Sequence, residues 1–160
     1  MSVAVNEFRN LAVSERRAVG EIAHYALRTP YPDMALGFAR MMADEARHVQ
    51  TLVEAVELLG GEMGPVSGEQ AVAPDLQAEI TDGELARFLG QIAHVEADLP
   101  ELMASTLATV KDDQLQVELA KRIGGIAADE ARHREWAATE IKRLLAGLTS
   151  EEVQKALESV

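Results

Sequence analysis

The chain has 160 residues, a formal net charge of −12 and no cysteine. The acidity argues against a nucleic-acid partner, whose phosphates would repel it. The missing thiols exclude disulfides and thiolate-bound metal, and no apolar run approaches the ~18 residues of a membrane span.

One domain over residues 1–160 is expected at this length. Alanine, leucine, valine and glutamate dominate, which favours helix over sheet. The N-terminal "MSVAVNEFRN" lacks a basic segment followed by an apolar stretch, so a cytoplasmic location is expected.

Apolar residues at three- and four-residue spacing predict a first helix over 3–28, with the inward stripe Leu11, Glu15, Ala18, Ile22 and Ala26. It stops at "TPYPD", where Pro30 and Pro32 forbid continuation. A second helix over 33–59 takes Asp33 as its N-cap and ends at "GGEMG". Its stripe is Phe38, Met41, Glu45, His48, Leu52 and Val56, with Met41 and Met42 read as core. A Gly-, Pro- and Ser-rich crossover covers 60–81. The third helix runs over 82–110 with the stripe Ile92, Glu96, Leu99 and Met103. Pro100 falls inside it and is expected either to kink the helix beside a widened pocket or to break it. The fourth helix, over 113–146, carries Ile123, Ala127, Glu130, His133, Ala137 and Ile141 on one face. A short C-terminal helix over 150–159 follows, with Thr149 and Glu152 as a capping box.

Short turns near residues 31 and 112 force two antiparallel hairpins. The long crossover can run the length of a bundle, so the class is an all-α four-helix bundle with one long crossover between helices 2 and 3. Helix 3 is expected to start at the end where helix 1 began, beside helix 2.

The string "DEARH" occurs twice, at Asp44–His48 and at Asp129–His133. Glu and His three residues apart share one helix surface, and both pairs sit in otherwise apolar stripes. Bare carboxylates and imidazoles in a core are costly, and a cation resolves that cost. Glu15 stands 16 residues before the turn at residue 31 and Glu45 stands 14 after it; at 1.5 Å per residue they differ in height by only about 3 Å. Glu96 and Glu130 flank position 112 with the same small mismatch. Glu15, Glu45, His48, Glu96, Glu130 and His133 can therefore meet at one level and cage a pair of metal ions.

One Glu from each of two helices plus Glu-x-x-His from each of the other two resembles the ferritin-like superfamily of di-iron carboxylate proteins, over residues 3–147. "DEARH" is also similar to the Asp/Glu-Glu-x-Arg-His signature of oxygen-activating members such as desaturases and bacterial monooxygenases. The short chain and "LLGGEM" look more like rubrerythrin-type proteins, here without a cysteine-bound iron domain. Ala93 stands where that type offers an extra Glu. The resemblance implies two iron ions as cofactor, with manganese or a mixed pair as alternatives. It also implies that Asp44 accepts the free ring N–H of His133, Asp129 that of His48, and that Arg47 and Arg132 close the network. The bland alternative is that these four are solvated helix charges.

Other residues are read as bystanders. His24 and His94 point far from the ligand direction and are surface or packing residues; Glu21 is a reserve ligand. Gly124 and Gly125 suggest close helix packing or a bulge. Trp136 is a packed indole at the bundle's edge or an interface rather than an electron relay.

Three functions remain open. The first is a rubrerythrin-like oxidoreductase that reacts with hydrogen peroxide or dioxygen, is served by an unidentified electron donor, and forms a homodimer. The second is an oxygenase of a small organic substrate, which predicts an apolar pocket reaching the site near Pro100. The third is an iron-oxidising storage protein, which predicts a hollow assembly.

Overall fold

A computed structural model describes residues 2–64 and 80–147. The crossover over 65–79 and the short helix expected over 150–159, with its Thr149–Glu152 cap, lie outside the described residues. Four helices make up the described chain: α1 (Val3–Arg28), α2 (Pro32–Leu58), α3 (Asp82–Ala108) and α4 (Asp113–Leu145). The protein is an all-α four-helix bundle.

Local chemistry sets the helix ends. Ser2 opens α1 by accepting from the Val5 amide at 3.2 Å. α1 ends at Thr29, an extended residue before Pro30. Asp33 does not cap α2. Tyr31 takes that place, and Pro32 occupies the first turn, where its missing N–H leaves no bond unmade. Asp33 instead lies in the first turn, where its carboxylate faces the positive end of the helix dipole. Gly60 ends α2 in a left-handed conformation with φ +73°. The Gly60 and Gly61 amides donate back to the Glu57 and Val56 carbonyls, each at 2.9 Å. Thr81 and Glu84 form a reciprocal capping box at the start of α3, and Asp112 caps α4 by accepting from the Leu115 amide at 2.9 Å. α3 runs unbroken through Pro100, so the proline does not end the helix.

α1 packs along α2, and α3 along α4; the hairpins meet through α2 and α4, and more sparsely through α1 and α3. The Tyr31 hydroxyl donates to Asp82 at 2.8 Å, and the Arg143 guanidinium lies 5.1 Å over the Tyr31 ring. α3 therefore starts at the end where α1 finishes, not where it begins. Because α2 also begins at that end, α3 runs parallel to α2.

The apolar core falls into two clusters. One holds Phe8, Leu11, Leu52, Val56, Met103 and Leu119; the other holds Ile22, Met34, Phe38, Leu85, Phe88 and Ala137. Between them lies a buried polar layer with a glutamate from every helix, Glu15, Glu45, Glu96 and Glu130, and two histidines. Near this layer Trp136 is half-buried and meets Phe38 edge-on at 5.2 Å. A Cβ on Gly37 would overlap the indole, so that position admits no larger residue without displacing it. Gly124 and Gly125, by contrast, face open space. The close packing expected of them is not present, because both lie on the exposed side of α4. No helix among the described residues is long and apolar enough to cross a membrane.

Candidate metal centre

The apolar stripes that bury each helix face carry the polar layer inward. Glu45, Glu130 and His48 are at most 2% exposed, and Glu15, Glu96 and His133 are also buried. One ligand atom each from Glu15, Glu45, His48 and Glu130 lies within 4.8 Å of the others, and so does one each from Glu45, Glu96, Glu130 and His133. All six sequence-predicted residues thus come together, in two groups that share Glu45 and Glu130. Glu21 belongs to neither group; it is exposed and paired with Arg17 at 2.9 Å. His24 lies half-buried against Tyr25, with ring centroids 5.2 Å apart, and His94 is exposed.

The two imidazoles are held alike. Nδ1 of His48 lies 3.2 Å from Glu45 and 3.1 Å from Glu130. Nδ1 of His133 lies 3.1 Å from Glu45, 3.5 Å from Glu96 and 3.7 Å from Glu130. The outer nitrogens cross over between helices. Nε2 of His48 faces Asp129 at 3.1 Å, and Nε2 of His133 faces Asp44 at 3.1 Å. Arg47 pairs with Asp44 and stands 3.5 Å from Asp129; Arg132 pairs with Asp129 and stands 3.8 Å from Asp44. The four charges form one exposed-rimmed ring that ties α2 to α4 and fixes both imidazole planes.

Protonation shows how crowded the layer is. Burial opposes charge on the histidines, yet hydrogen bonds that they donate to surrounding carboxylates outweigh it, raising His48 to about 10 and His133 to about 12. Burial pushes Glu96 up to about 7. Burial, reinforced by the neighbouring Glu45 carboxyl, drives Glu15 far above the usual carboxylate range. Burial works against charge on Glu45 as well, but hydrogen bonds from His133, His48 and Glu15 hold it below its ordinary value. Without cations, protons must neutralise this cluster.

Protons do not satisfy it fully. Glu15 Oε1, Glu96 Oε2, Glu130 Oε1 and His133 Nδ1 are buried without a well-formed hydrogen bond. Four atoms without a well-aligned hydrogen bond, three carboxylate oxygens and one imidazole nitrogen, suit a pair of divalent cations.

A cavity of about 260 Å³ opens beside the cluster, between α1 and α3, with Glu15, Glu45, Glu96 and Glu130 in its lining. It lies against Leu99 and extends toward Gln91, not around Pro100, because the sparse contact between α1 and α3 is what leaves the space. Sequence reasoning missed Ser14, Gln91 and Val95 in its walls. The available signal was weak: each merely neighbours an inward position, at Glu15, Ile92 and Glu96.

The protein-family model for rubrerythrin matches residues 13–141, a stretch containing all six clustered residues. No curated protein and no solved structure matches the chain.

Proposed function

The chain belongs to the rubrerythrin family, and from that premise we propose that it is a di-iron carboxylate oxidoreductase reacting with hydrogen peroxide or dioxygen. The observation that carries this reading is the pair of buried four-residue groups sharing Glu45 and Glu130. Glu15 and His48 would hold one metal ion and Glu96 and His133 the other, with Glu45 and Glu130, which belong to both groups, available to both. The mixed nitrogen and carboxylate donor set suits iron, with manganese as the competing occupant. Two ferrous ions bound there would supply the two electrons needed to reduce the O–O bond of a peroxide, each iron going from ferrous to ferric.

The protein's own groups make that chemistry orderly. Asp129 and Asp44 accept the outer N–H of His48 and His133, which leaves each Nδ1 free to bind metal. Arg47 pairs with Asp44 and Arg132 with Asp129, which keeps both aspartates turned toward the histidines. The apolar clusters on either side of the layer keep bulk water away. Glu15 and Glu96 each belong to one group only and line the cavity, so they are the carboxylates best placed to shift as a small oxidant arrives. Ala93 offers no ligand, which leaves the cage at six side chains. With no cysteine in the sequence, no thiolate-bound redox centre in this chain can supply electrons, so they come from a separate donor; family membership supports a homodimer as the functional unit.

Metal analysis of the purified protein followed by stopped-flow oxidation tests the proposal. Two iron or manganese ions per chain are expected, with the ferrous protein oxidised faster by hydrogen peroxide than by dioxygen. Failure to retain metal would remove the whole reading. Faster reaction with dioxygen would remove the peroxide preference alone.

A further inference from the structure

Hydrogen peroxide and dioxygen are little larger than water, which occupies about 30 Å³ in the liquid. The cavity between α1 and α3 is about 260 Å³. Apolar cavities of about 150 Å³ already take up benzene. The space beside the cluster is therefore far larger than a small oxidant needs, even with part of it given over to metal ions.

The walls define what fits. Ala18, Ile22, Phe88, Ile92, Val95 and Leu99 supply an apolar lining. Water held against these six side chains lacks partners there, and an apolar occupant displaces it favourably. At the rim, Arg17 and Glu21 pair with each other at 2.9 Å, so the rim offers little net charge. At the floor stand the four glutamates. A cation competes with protons or metal ions for them, and any charged group pays to leave water for the apolar walls. An uncharged molecule meets neither penalty.

We infer that the α1–α3 cavity is a binding site for an uncharged, chiefly apolar organic molecule of about one-ring size, seated beside the metal cluster. This deepens the proposed function by naming what can sit beside that same site, and it rests on that reading for its chemical meaning; the inference is of binding alone. The site is formed by α1 and α3 alone above the glutamate floor, so it can be probed whether or not metal is loaded.

The test uses the full chain, metal-free and metal-loaded, with fluorobenzene as probe observed by fluorine NMR. It binds no metal and carries no charge. Saturable binding of one probe per chain is expected. Two variants close the cavity. Ala18→Phe fills its interior, and Val95→Trp covers its mouth from a residue that is 57% exposed and so carries little risk to folding. Each should weaken binding by about tenfold or more, with an unchanged melting temperature as the control for folding. Should Ala18→Phe misfold, Val95→Trp alone decides. Absence of saturable binding to the wild-type chain, or binding that a folded Val95→Trp variant leaves unchanged, overturns the inference. If metal is not retained yet the probe binds and the variants block it, the metal reading falls and the cavity stands as an organic site. If metal is retained and the probe does not bind, only the cavity assignment falls.

Discussion

At the scale of single residues, the six clustered side chains were legible because chemistry forced them into the open. A glutamate or histidine inside an apolar stripe breaks the pattern that surrounds it, and "DEARH" does so twice. Asp44 and Asp129 were less legible. Their spacing alone fits solvated helix charges equally well, and only distances of 3.1 Å to the opposite histidines distinguish the two readings. Asp129→Asn tests the difference. An asparagine can still accept through its carbonyl, but it loses the charge that fixes the imidazole and the pairing with Arg132. Metal affinity measured by chelator competition should fall about 10- to 100-fold, with little change in melting temperature. Unchanged affinity would return Asp129 to the surface charges. Glu45→Ala and Glu130→Ala should go further, because each removes a ligand from both groups. Metal content, read by elemental analysis, should drop below one ion per chain.

At the scale of elements, helix existence followed from periodicity, whereas details that depend on neighbours did not. α1 runs over Val3–Arg28 as its stripe implies. Asp33 was misread because a good capping residue lay one step beyond a proline that itself starts the helix. The glycines of α2 and α4 show the same limit, since a glycine's reason lies in what approaches it. Gly37 lies under the Trp136 ring. Gly37→Ala should therefore destabilise the protein by about 1–3 kcal/mol through overpacking. Gly124 and Gly125 lie in mid-helix against open space. Alanine at either position should stabilise by roughly 0.5–1 kcal/mol, because it limits the unfolded chain and meets nothing. Denaturant unfolding of the three variants reads both signs at once. Equal destabilisation at all three would mean that the α4 glycines do have a neighbour.

At the scale of the whole molecule, the polar layer couples metal, protons and stability. Stripes show which faces turn inward but not how far apart helices stand, so neither the cavity nor this coupling could be read from spacing. His48, His133, Glu15 and Glu96 all hold protons more tightly in the folded metal-free protein than when unfolded. For such groups the stabilisation is complete below the unfolded value and is lost as pH climbs through the folded one. Glu96 contributes a falling limb between 4.5 and about 7. His48 and His133 contribute theirs from 6.5 upward, toward about 10 and about 12. Glu15 adds to both. Glu45 has the opposite sign, but its share is lost only in acid, below its ordinary value, so it does not offset the fall. Each retained proton costs the folded state up to about 1.4 kcal/mol per pH unit across its window. The metal-free protein should thus melt at progressively lower temperature between pH 6.5 and 8.5. Bound cations replace those protons, so the metal-loaded protein should lose much less over the same range, and metal affinity should weaken as pH drops. Paired thermal scans with metal and with chelator measure the gap. It should widen steadily with pH. A constant gap would mean that these four side chains carry no shared proton load and that the cations bind elsewhere.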